Sequence, residues 1–375
     1  MHLGIDITSL LYGRGVSRYT RNLLIALNQL PKLQFSLYGT TFRRRRELLN
    51  QIQQLHLKNE AHLVQAYPIS LVSKLWQFGL NPIRKRLPRI DVFHAWDWHL
   101  PPDTTIPMVT TIHDLAMLRF PQIAHPSILR AHQVAWNRIK SSQTQVIAVS
   151  QTTRRDIIEL LGIEPQRVRV IYEALPQETV VAGELLTEEK TEIILKKFSL
   201  SRPYFLFVGT QEPRKNLNRL IQAWQAFAKD FDLVIVGESG WNQDQVPHTQ
   251  IKPIFLGSVK DLELAALYDQ ARMFLYPSLY EGFGLPILEA FYHGTPVVTS
   301  SNSGMAEVAG NAAELIDPLE ADSIANGIKN ILNEDQTAEK IRDQRMILRL
   351  QLFRWEDVAR QTLAMYQQTV QQWKV

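Results

Sequence analysis

Short apolar runs alternate with amphipathic segments along the whole chain. The first half contains six runs with the length and composition of buried strands: LGIDI (3–7), FSLYG (35–39), DVFHA (91–95), MVTTIH (108–113), QVIAVS (145–150) and VRVIY (168–172). Between them, the segments 17–29, 126–140 and 151–161 have helical spacing. The pattern restarts with YFLFVG (204–209), LVIVG (233–237), IFLG (254–257), MFLYPS (273–278) and TPVVTS (295–300). Such alternation predicts parallel sheets with helices on both faces.

Two series of strands predict an α/β protein with two Rossmann-like, doubly wound domains that face each other across a cleft. The ligand is expected at the carboxyl ends of the strands, and a length of 375 residues is typical of two domains. We place the first domain at 1–178 and the second at 185–353, because PQETVVAGE (176–184) has little periodicity. The segment 353–373 predicts a long helix that packs on the first domain, so that 354–375 belongs to that domain.

The absence of cysteine narrows the chemistry. Disulfides, thiolate nucleophiles and cysteine metal sites are excluded, and a reducing cytoplasm is the simplest compartment. Met1 runs directly into HLGIDI without the apolar region of a signal peptide. No apolar run reaches the ~18 residues that a spanning helix needs. We therefore expect a cytoplasmic protein, at most peripheral on the inner face of the membrane.

The net charge of +4 conceals an uneven distribution. Residues 1–180 contain 22 Lys+Arg against 12 Asp+Glu, whereas the remainder contains 19 against 25. Much of the excess lies in RRRR (43–46) and IRKRLPR (83–89), and the second cluster follows the amphipathic SLVSKLWQFGL. Two interpretations stay open: attachment to an anionic membrane surface, or a solvated basic face. Nucleic acid is not expected as a partner, because no zinc finger, basic zipper or RNA-binding signature accompanies these arginines.

The stretch YEGFGLPILEA (280–290) carries two glutamates around a glycine turn. Pro286 suits the first position of a helix, which places Glu281 in the preceding loop and Glu289 about one turn into the helix. The glycines of the turn let a ligand approach the backbone, and the amides at the helix start form an anion site; they belong to Phe283, Gly284 and Leu285. A nucleotide-sugar fits this arrangement, because it has hydroxyls on both sides of a diphosphate. The alternative is an acidic residue near a helix start and an exposed helical glutamate.

A second turn in the same domain has the charge that a phosphate needs. In GTQEPRKN (209–216), Arg214 and Lys215 follow the carboxyl end of a predicted strand, where they could stabilise a diphosphate leaving group. A solvated basic turn is the alternative. Asp230 and Asp232 form an acidic pair, but the pair precedes its strand, so we expect no metal site there.

The first domain offers weaker signals. His113 ends a predicted strand and faces the expected cleft, and Gly15 lies in a glycine turn between the first strand and the first helix. This turn does not match the dinucleotide fingerprint, so a dinucleotide-dependent oxidoreductase fits worst. His94 and His99 lie either side of Trp96, Asp97 and Trp98 and lack a zinc ligand set. The segment is interpreted as the wall of an acceptor pocket, to which Trp96, Trp98 and His99 contribute.

Together, YEGFGLPILEA, GTQEPRKN, the run at 294–313 and RWEDVA resemble family 4 glycosyltransferases of the GT-B fold. The resemblance covers essentially the whole chain and implies a retaining, metal-independent enzyme without a cofactor that uses a nucleotide diphosphate sugar. By position, the implied catalytic residues are Glu281, His113, Arg214 and Lys215. The implied donor-binding residues are Gly15, Arg214, Lys215, Val259, Phe283, Gly284, Leu285 and Glu289. In this assignment Glu281 contacts the donor sugar, Glu289 the ribose and Val259 the base.

Three positions depart from the family pattern. Thr210 stands where many members have an arginine, Tyr172-Glu173 replaces the usual Asn-Gly after the last strand of the first domain, and Ala306 replaces a frequent proline. The first departure concerns the geometry with which Arg214 and Lys215 would hold the diphosphate. The second concerns the turn between the two domains.

The resemblance implies transfer of a hexose to a saccharide or lipid-linked saccharide in polysaccharide or glycoconjugate synthesis. UDP-glucose, or a similar UDP-sugar, is the first expectation for the donor, and GDP-mannose is the alternative. A nucleotide-sugar epimerase or a phosphorolytic enzyme of the same fold, and an inactive sugar-nucleotide-binding scaffold, are the rival interpretations.

Overall fold

The structure is a computed structural model that describes residues 1–13, 15–58, 60–121, 126–240 and 251–373. It divides into two compact units. The first consists of Met1–Arg119, Ala124–Glu173 and Arg354–Val375, and the second of Phe120–Ile123 and Ala174–Phe353. Elements are numbered along the chain, and each unit is an α/β domain with one parallel sheet.

The first unit is built on a seven-stranded sheet. Its strands are β1 (His2–Asp6), β2 (Gln34–Thr40), β3 (Glu60–Gln65), β4 (Val92–Trp96), β5 (Met108–Ile112), β6 (Gln145–Ala148) and β7 (Val168–Val170). Its helices are α1 (Gly15–Asn28), α2 (Arg45–Gln54), α3 (Ile69–Gln77), α4 (Ile83–Arg86), α5 (Ala116–Arg119), α6 (Pro126–Ser141) and α7 (Gln151–Leu161). The strand order is β3-β2-β1-β4-β5-β6-β7, and each strand pairs in parallel with its neighbours.

The second unit repeats this design with six strands. Its strands are β8 (Tyr204–Val208), β9 (Asp232–Val236), β10 (Ile254–Gly257), β11 (Met273–Tyr276), β12 (Val297–Ser300) and β13 (Glu314–Ile316). Its helices are α8 (Gln177–Glu184), α9 (Glu188–Lys197), α10 (Leu217–Trp224), α11 (Asp261–Gln270), α12 (Leu285–Tyr292), α13 (Ser303–Ala309), α14 (Ala321–Leu332) and α15 (Gln336–Leu350). The order is β10-β9-β8-β11-β12-β13, again all parallel.

Both strand orders contain a topological switch point. In the first unit the chain builds outward from β1 to β3 and then returns to place β4 on the other side of β1. In the second unit the same reversal lies between β8 and β11. Loops that leave adjacent strands in opposite directions open a crevice at the carboxyl ends, and ligands of doubly wound sheets bind there. The prediction of two Rossmann-like domains is confirmed.

The helix α7 illustrates how capping residues begin and end the helices. The hydroxyl of Ser150 accepts a hydrogen bond from the amide of Thr153 at 3.0 Å, which caps the helix start. At the other end, Gly162 adopts φ 66°, and its amide donates to the carbonyl of Ile158 at 3.1 Å. The apolar spacing between these caps predicted residues 151–161, which are the observed bounds.

The last helix, α16 (Trp355–Trp373), belongs to the first unit. Tyr366 on this helix contacts the buried imidazole of His94 on β4, with 2.6 Å between its hydroxyl and Nδ1. The other ring nitrogen, Nε2, lies 3.0 Å from the hydroxyl of Thr111. Burial, together with the nearby His113, lowers the pKa of His94 to about 3, so the ring is neutral. His94 therefore joins α16 to the sheet.

The sequence placed the division between the domains too late. The first unit ends at Glu173 rather than 178, and the segment interpreted as a weakly periodic join contains the helix α8. The described helices include none that is long and apolar enough to cross a membrane.

Candidate functional site

The turn that contains Arg214 and the loop that contains Glu281 meet at the switch point of the second sheet. They follow the neighbouring strands β8 and β11. The amide of Leu279 donates to the carbonyl of Arg214 at 2.7 Å, and the side-chain amide of Asn216 donates to the carbonyl of Pro277 at 3.0 Å. Asn216 adopts a left-handed conformation with φ 61°, which is favourable for Asn relative to most other residues. The backbone therefore fixes the two loops against each other.

A carboxylate and two cations form the centre of this site. The carboxylate of Glu281 accepts hydrogen bonds from Arg214 at Oε2 and from Lys215 at Oε1, both at 2.6 Å. The ammonium of Lys215 also donates to the hydroxyl of Tyr276 at 2.8 Å. Arg214 contacts Glu212 through Nε, with 3.3 Å between the charged atoms. The four charged side chains are at most 15% exposed, so this is a desolvated cluster.

The cluster fixes the protonation state of Glu281. Burial alone raises the pKa of a carboxyl group, but the charges of Arg214 and Lys215 outweigh burial and lower the pKa of Glu281 to about 2. For Lys215, burial dominates and lowers the pKa of the ammonium, against the opposing effect of Glu281. An ionised Glu281 accepts hydrogen bonds and cannot serve as a general acid near neutral pH.

The helix that follows Glu281 has the predicted boundaries within one residue. It begins at Leu285, so Pro286 occupies the second position instead of the first, and Gly284 precedes it with φ 118°. Gly294 adopts φ 69° just past the end of the helix, where its amide donates a hydrogen bond to the carbonyl of Phe291 at 3.1 Å. The amides of Gly284 and Leu285 thus lie at the positive end of an eight-residue helix.

Close packing shapes the backbone before this helix. A Cβ on Gly304, in α13, would lie 2.2 Å from the carbonyl oxygen of Gly282. The amide of Gly304 donates to the carbonyl of Glu281 at 3.0 Å, and the amide of Glu281 donates to the hydroxyl of Ser303 at 3.2 Å. The ring of Phe283 packs edge-on against Phe353. The start of α13 therefore supports the loop that carries Glu281.

Glu289 points into the interior of the second unit. Its side chain is buried, and its carboxylate accepts hydrogen bonds from the hydroxyl of Tyr268 at 3.1 Å and from the hydroxyl of Thr179 at 3.4 Å. Val259 lies in the loop after β10, at the same sheet edge, and is half-buried. The ribose role of Glu289 and the base role of Val259 stay predictions.

In the first unit, the partly buried His113 pairs with the buried Glu173. His113 follows β5 and Glu173 follows β7, at the same sheet edge, and 2.7 Å separate Nδ1 from Oε1. Burial lowers the pKa of His113, but the hydrogen bond and charge of Glu173 outweigh it, with a net raised pKa. Nε2 is buried and has no hydrogen-bond partner among the described residues. When its ring is protonated, His113 therefore keeps an N–H donor at Nε2.

The structure corrects two of the three acceptor-wall predictions. Trp96 is fully buried and donates from its indole to the carbonyl of Asp6 at 2.8 Å. His99 is 2% exposed and pairs with the carboxylate of Asp6 at 2.7 Å. Only Trp98 of the three is partly exposed, and its ring stacks on Trp96. Trp96 and His99 are buried at the switch point of the first sheet, so they stabilise the carboxyl-terminal edge of that sheet.

Gly15 begins α1, close to the switch point of the first sheet. A Cβ at this position would meet no atom within 4 Å, so the backbone of Gly15 faces open space. The predicted backbone approach of a phosphate is sterically open here.

The acidic pair at 230 and 232 lies at the amino-terminal end of its strand. Asp232 starts β9 and pairs with Arg202 at 2.6 Å. Within the described residues no group of His, Asp and Glu has the arrangement of a metal site.

The comparisons with known proteins agree with this architecture. Residues 13–178 match the model Glycosyltransferase Family 4, and residues 189–345 match Glycosyl transferases group 1. The O-antigen chain mannosyltransferase B of Escherichia coli is 31% identical over 288 residues, which are 73% of this chain and 74% of that protein. The O-antigen chain mannosyltransferase RfbU of Salmonella typhimurium is 31% identical over 192 residues, or 50% of each protein.

A solved structure extends the similarity to the whole fold. Anabaena HepE in complex with UDP and glucose superposes with a TM-score of 0.70 at 18% identity, covering 98% of this chain and 100% of that chain. The chain belongs to family 4 of the glycosyltransferases and has their GT-B fold.

Sequence reasoning missed several partners in these sites. Tyr276 ends the strand before the glutamate loop, and its position at the carboxyl end of β11 was the available signal. Glu173 was noted only as a departure from the family pattern. Its position after a predicted strand, at the edge that also carries His113, could have paired the two. Tyr268 and Thr179 gave no such signal, because neither lies next to a motif.

The His113–Glu173 pair predicts a pH-dependent stability. Because the folded-state pKa of His113 is raised, its contribution is complete below about pH 6.5, the ordinary pKa of histidine, and is lost as the pH rises through the folded value. We expect Glu173→Gln to lower the melting temperature more at about pH 6 than at about pH 9. Thermal unfolding of both proteins across this range measures the difference.

The matched control is Glu159→Gln, which removes an exposed carboxylate from the same unit. It should show no comparable pH dependence. A Glu173→Gln effect that is equal at both pH values would contradict the assigned ion pair.

Proposed function

We propose that this glycosyltransferase transfers mannose from GDP-mannose, with retention of configuration, to a saccharide or lipid-linked saccharide in polysaccharide synthesis. The observation that carries the donor class is the Glu281–Arg214–Lys215 cluster at the switch point of the second sheet. The names of the O-antigen mannosyltransferase relatives favour mannose and polysaccharide synthesis. UDP-glucose, the first expectation from the sequence, remains the second candidate, because HepE binds UDP and glucose on the same fold.

The charges around the cluster explain how a diphosphate is held. Arg214 and Lys215 carry two positive charges, and Glu212 and Glu281 carry two negative charges, so the cluster is formally balanced. Donor hydroxyls that bind Glu281 take up part of its negative charge and leave the cations available to the diphosphate. The helix start at Gly284 and Leu285 adds positive potential without a counter-charge.

Charge develops on the phosphate oxygen as the bond to the sugar breaks. Pre-positioned cations and amides stabilise that charge more strongly in a desolvated site than in water. His113 is the candidate hydrogen-bond donor of the first unit, and its pairing with Glu173 raises the pKa of its imidazole.

For the proposed retention, the state of Glu281 favours a route without a covalent intermediate. A carboxylate with both oxygens bound to cations, and with a pKa of about 2, is a weak nucleophile, so a covalent sugar–enzyme intermediate through Glu281 is disfavoured. In the proposed reaction the acceptor hydroxyl attacks the anomeric carbon on the face that the diphosphate leaves. The departing phosphate oxygen takes the acceptor's proton, so no protein base is required.

The donor is tested by supplying purified protein with GDP-mannose or UDP-glucose and a membrane saccharide extract. Release of free nucleoside diphosphate is measured with and without the extract. We expect acceptor-dependent release from GDP-mannose, undiminished by a chelator because no metal is required. Preference for UDP-glucose would select the second candidate. Release without acceptor would indicate a hydrolytic or phosphorolytic enzyme, and no turnover of either donor would indicate a scaffold.

Removal of a cation tests the leaving-group role. We expect Lys215→Ala to lower kcat by about 10²–10³-fold, as loss of an anion-stabilising donor does. Lys252→Ala, an exposed lysine of the same unit, is the matched control and should leave kcat unchanged. Because Lys215 is buried, melting temperatures establish that both variants are folded. A folded Lys215→Ala protein with normal kcat would remove Lys215 from the site.

The two glutamates should differ in the kinetic constant that they control. Glu281→Gln is expected to lower kcat, because its charge orients the cations and the sugar. Glu289→Gln is expected mainly to raise KM for the donor, because a ribose contact is present in the ground state and the transition state alike. Steady-state kinetics with varied donor measures both constants. The reverse pattern would exchange the two roles.

A further inference from the structure

One region of the first unit concentrates positive charge. Residues 41–90 contain ten Lys+Arg and two Asp+Glu, whereas the whole chain has a net charge of only +4. The cations lie in two groups, at 43–46 and 84–89, with Lys58 and Lys74 between them. Arg43, Arg45 and Arg46 are exposed, as are Arg84 and Lys85. Such a local excess attracts an anionic surface.

The same region exposes large apolar side chains. Phe78 is 78% exposed, Phe42 62%, Leu80 54%, Tyr67 49% and Leu71 42%. Single exposed apolar residues are ordinary on a protein surface, but five in a short, strongly basic region are not accounted for by the fold.

The helix α3 separates its buried and exposed faces clearly. Val72 and Trp76 are buried, four residues apart, and pack in the core of the first unit. Leu71, Lys74 and Phe78 occupy positions i, i+3 and i+7, so they lie on one stripe that faces away from that core. The exposed stripe therefore combines two apolar side chains with a cation.

The tip of this helix is held rigidly despite its exposure. The amide of Gly79, which has φ 71°, donates to the carbonyl of Trp76 at 3.0 Å. The amide of Leu80 donates to the carbonyl of Leu75 at 2.9 Å. The indole of Trp76 donates to the carbonyl of Asn81 at 2.9 Å. These bonds close the helix end, so Phe78 and Leu80 are presented without the entropic cost of ordering a loose loop.

Phe42 and Tyr67 are connected through the edge of the sheet to the exposed stripe of α3. Phe42 follows β2 and Tyr67 follows β3, and these neighbouring strands pair Thr40 with Gln65. The hydroxyl of Thr40 donates to the carbonyl of Tyr67 at 2.9 Å. The helix α3 begins two residues after Tyr67. The exposed residues thus belong to one edge of the unit.

We propose that this edge, defined by Phe42, Arg43, Tyr67, Leu71, Lys74, Phe78, Leu80, Arg84 and Lys85, is a docking surface for an anionic lipid bilayer. Interleaved aromatic, aliphatic and basic side chains match a bilayer interface, where rings and aliphatic chains enter the headgroup boundary and cations contact anionic headgroups. A nucleic-acid surface would need cations along a groove with aromatic rings for stacking, whereas Leu71 and Leu80 have no such use. The proposal is independent of the identity of the donor sugar.

The test is sedimentation of the purified full chain with lipid vesicles. One set contains phosphatidylcholine alone, and the other contains phosphatidylcholine mixed with phosphatidylglycerol. We expect binding to the mixed vesicles that weakens as salt is added, because salt screens the charges.

Two variants separate the contributions of charge and apolar contact. Arg43→Gln with Lys85→Gln should weaken binding to mixed vesicles by about tenfold or more, since each cation near an anionic surface contributes substantially. Phe78→Ser with Leu80→Ser should weaken it by at least about tenfold through loss of buried apolar area. Both should retain wild-type melting temperatures, because the altered side chains are exposed.

The second unit supplies matched controls. Leu348→Ser with Leu352→Ser removes two leucines that are 60% and 62% exposed, and Lys329→Gln with Lys340→Gln removes two exposed cations. Neither should change vesicle binding. Equal binding to both vesicle types, or equal weakening by the control variants, would overturn the proposal. Retention of the protein on labelled RNA without vesicle binding would overturn it as well.

Discussion

The pairing of the Glu281 carboxylate with Arg214 and Lys215 is the interaction on which the second unit's site depends. Its partners come from loops that are distant in sequence and follow the adjacent strands β8 and β11. Breaking a buried ion pair by removing one partner typically costs about 3–5 kcal/mol, because the other charge stays buried without compensation. The position of the loops and the charge of the cluster therefore constrain each other, and neither can vary freely.

This constraint also limits the chemistry. The cations that we propose bind the diphosphate hold Glu281 ionised, with a pKa of about 2, so acid catalysis and nucleophilic attack by this carboxylate are both disfavoured. The proposed roles of the cluster are therefore recognition of hydroxyl groups and stabilisation of a leaving anion. The second carboxylate of the motif, Glu289, is buried and accepts hydrogen bonds from the hydroxyls of Tyr268 and Thr179. One motif thus supplies two carboxylates with different hydrogen-bond partners.

The sequence predicted the central strands and the site loops because those signals are local. Buried parallel strands are continuous apolar runs, and the turn residues lie directly after them. The edge strands β3 and β13 were missed: β3 is buried only at its carboxyl end, and β13 has three residues. Burial of Trp96 and His99, and the pairing of His113 with Glu173, depend on which strands are neighbours. Spacing along the chain does not determine that order, so these contacts required the tertiary structure.

The topology of the first sheet relates the proposed docking edge to the loops after β4 and β5. All strands are parallel, so the loops after β2, β3, β4 and β5 leave from the same edge. Neighbouring strands lie about 4.8 Å apart, which separates the ends of β2 and β4 by roughly 10 Å. Trp98 and His113 follow β4 and β5, whereas Phe42 follows β2. The proposed docking edge and the loops that carry Trp98 and His113 therefore lie at the same edge of the first sheet. In the proposed arrangement, an acceptor anchored in the bilayer would need to extend only about two strand spacings, roughly 10 Å, from the end of β2 to the loop after β4.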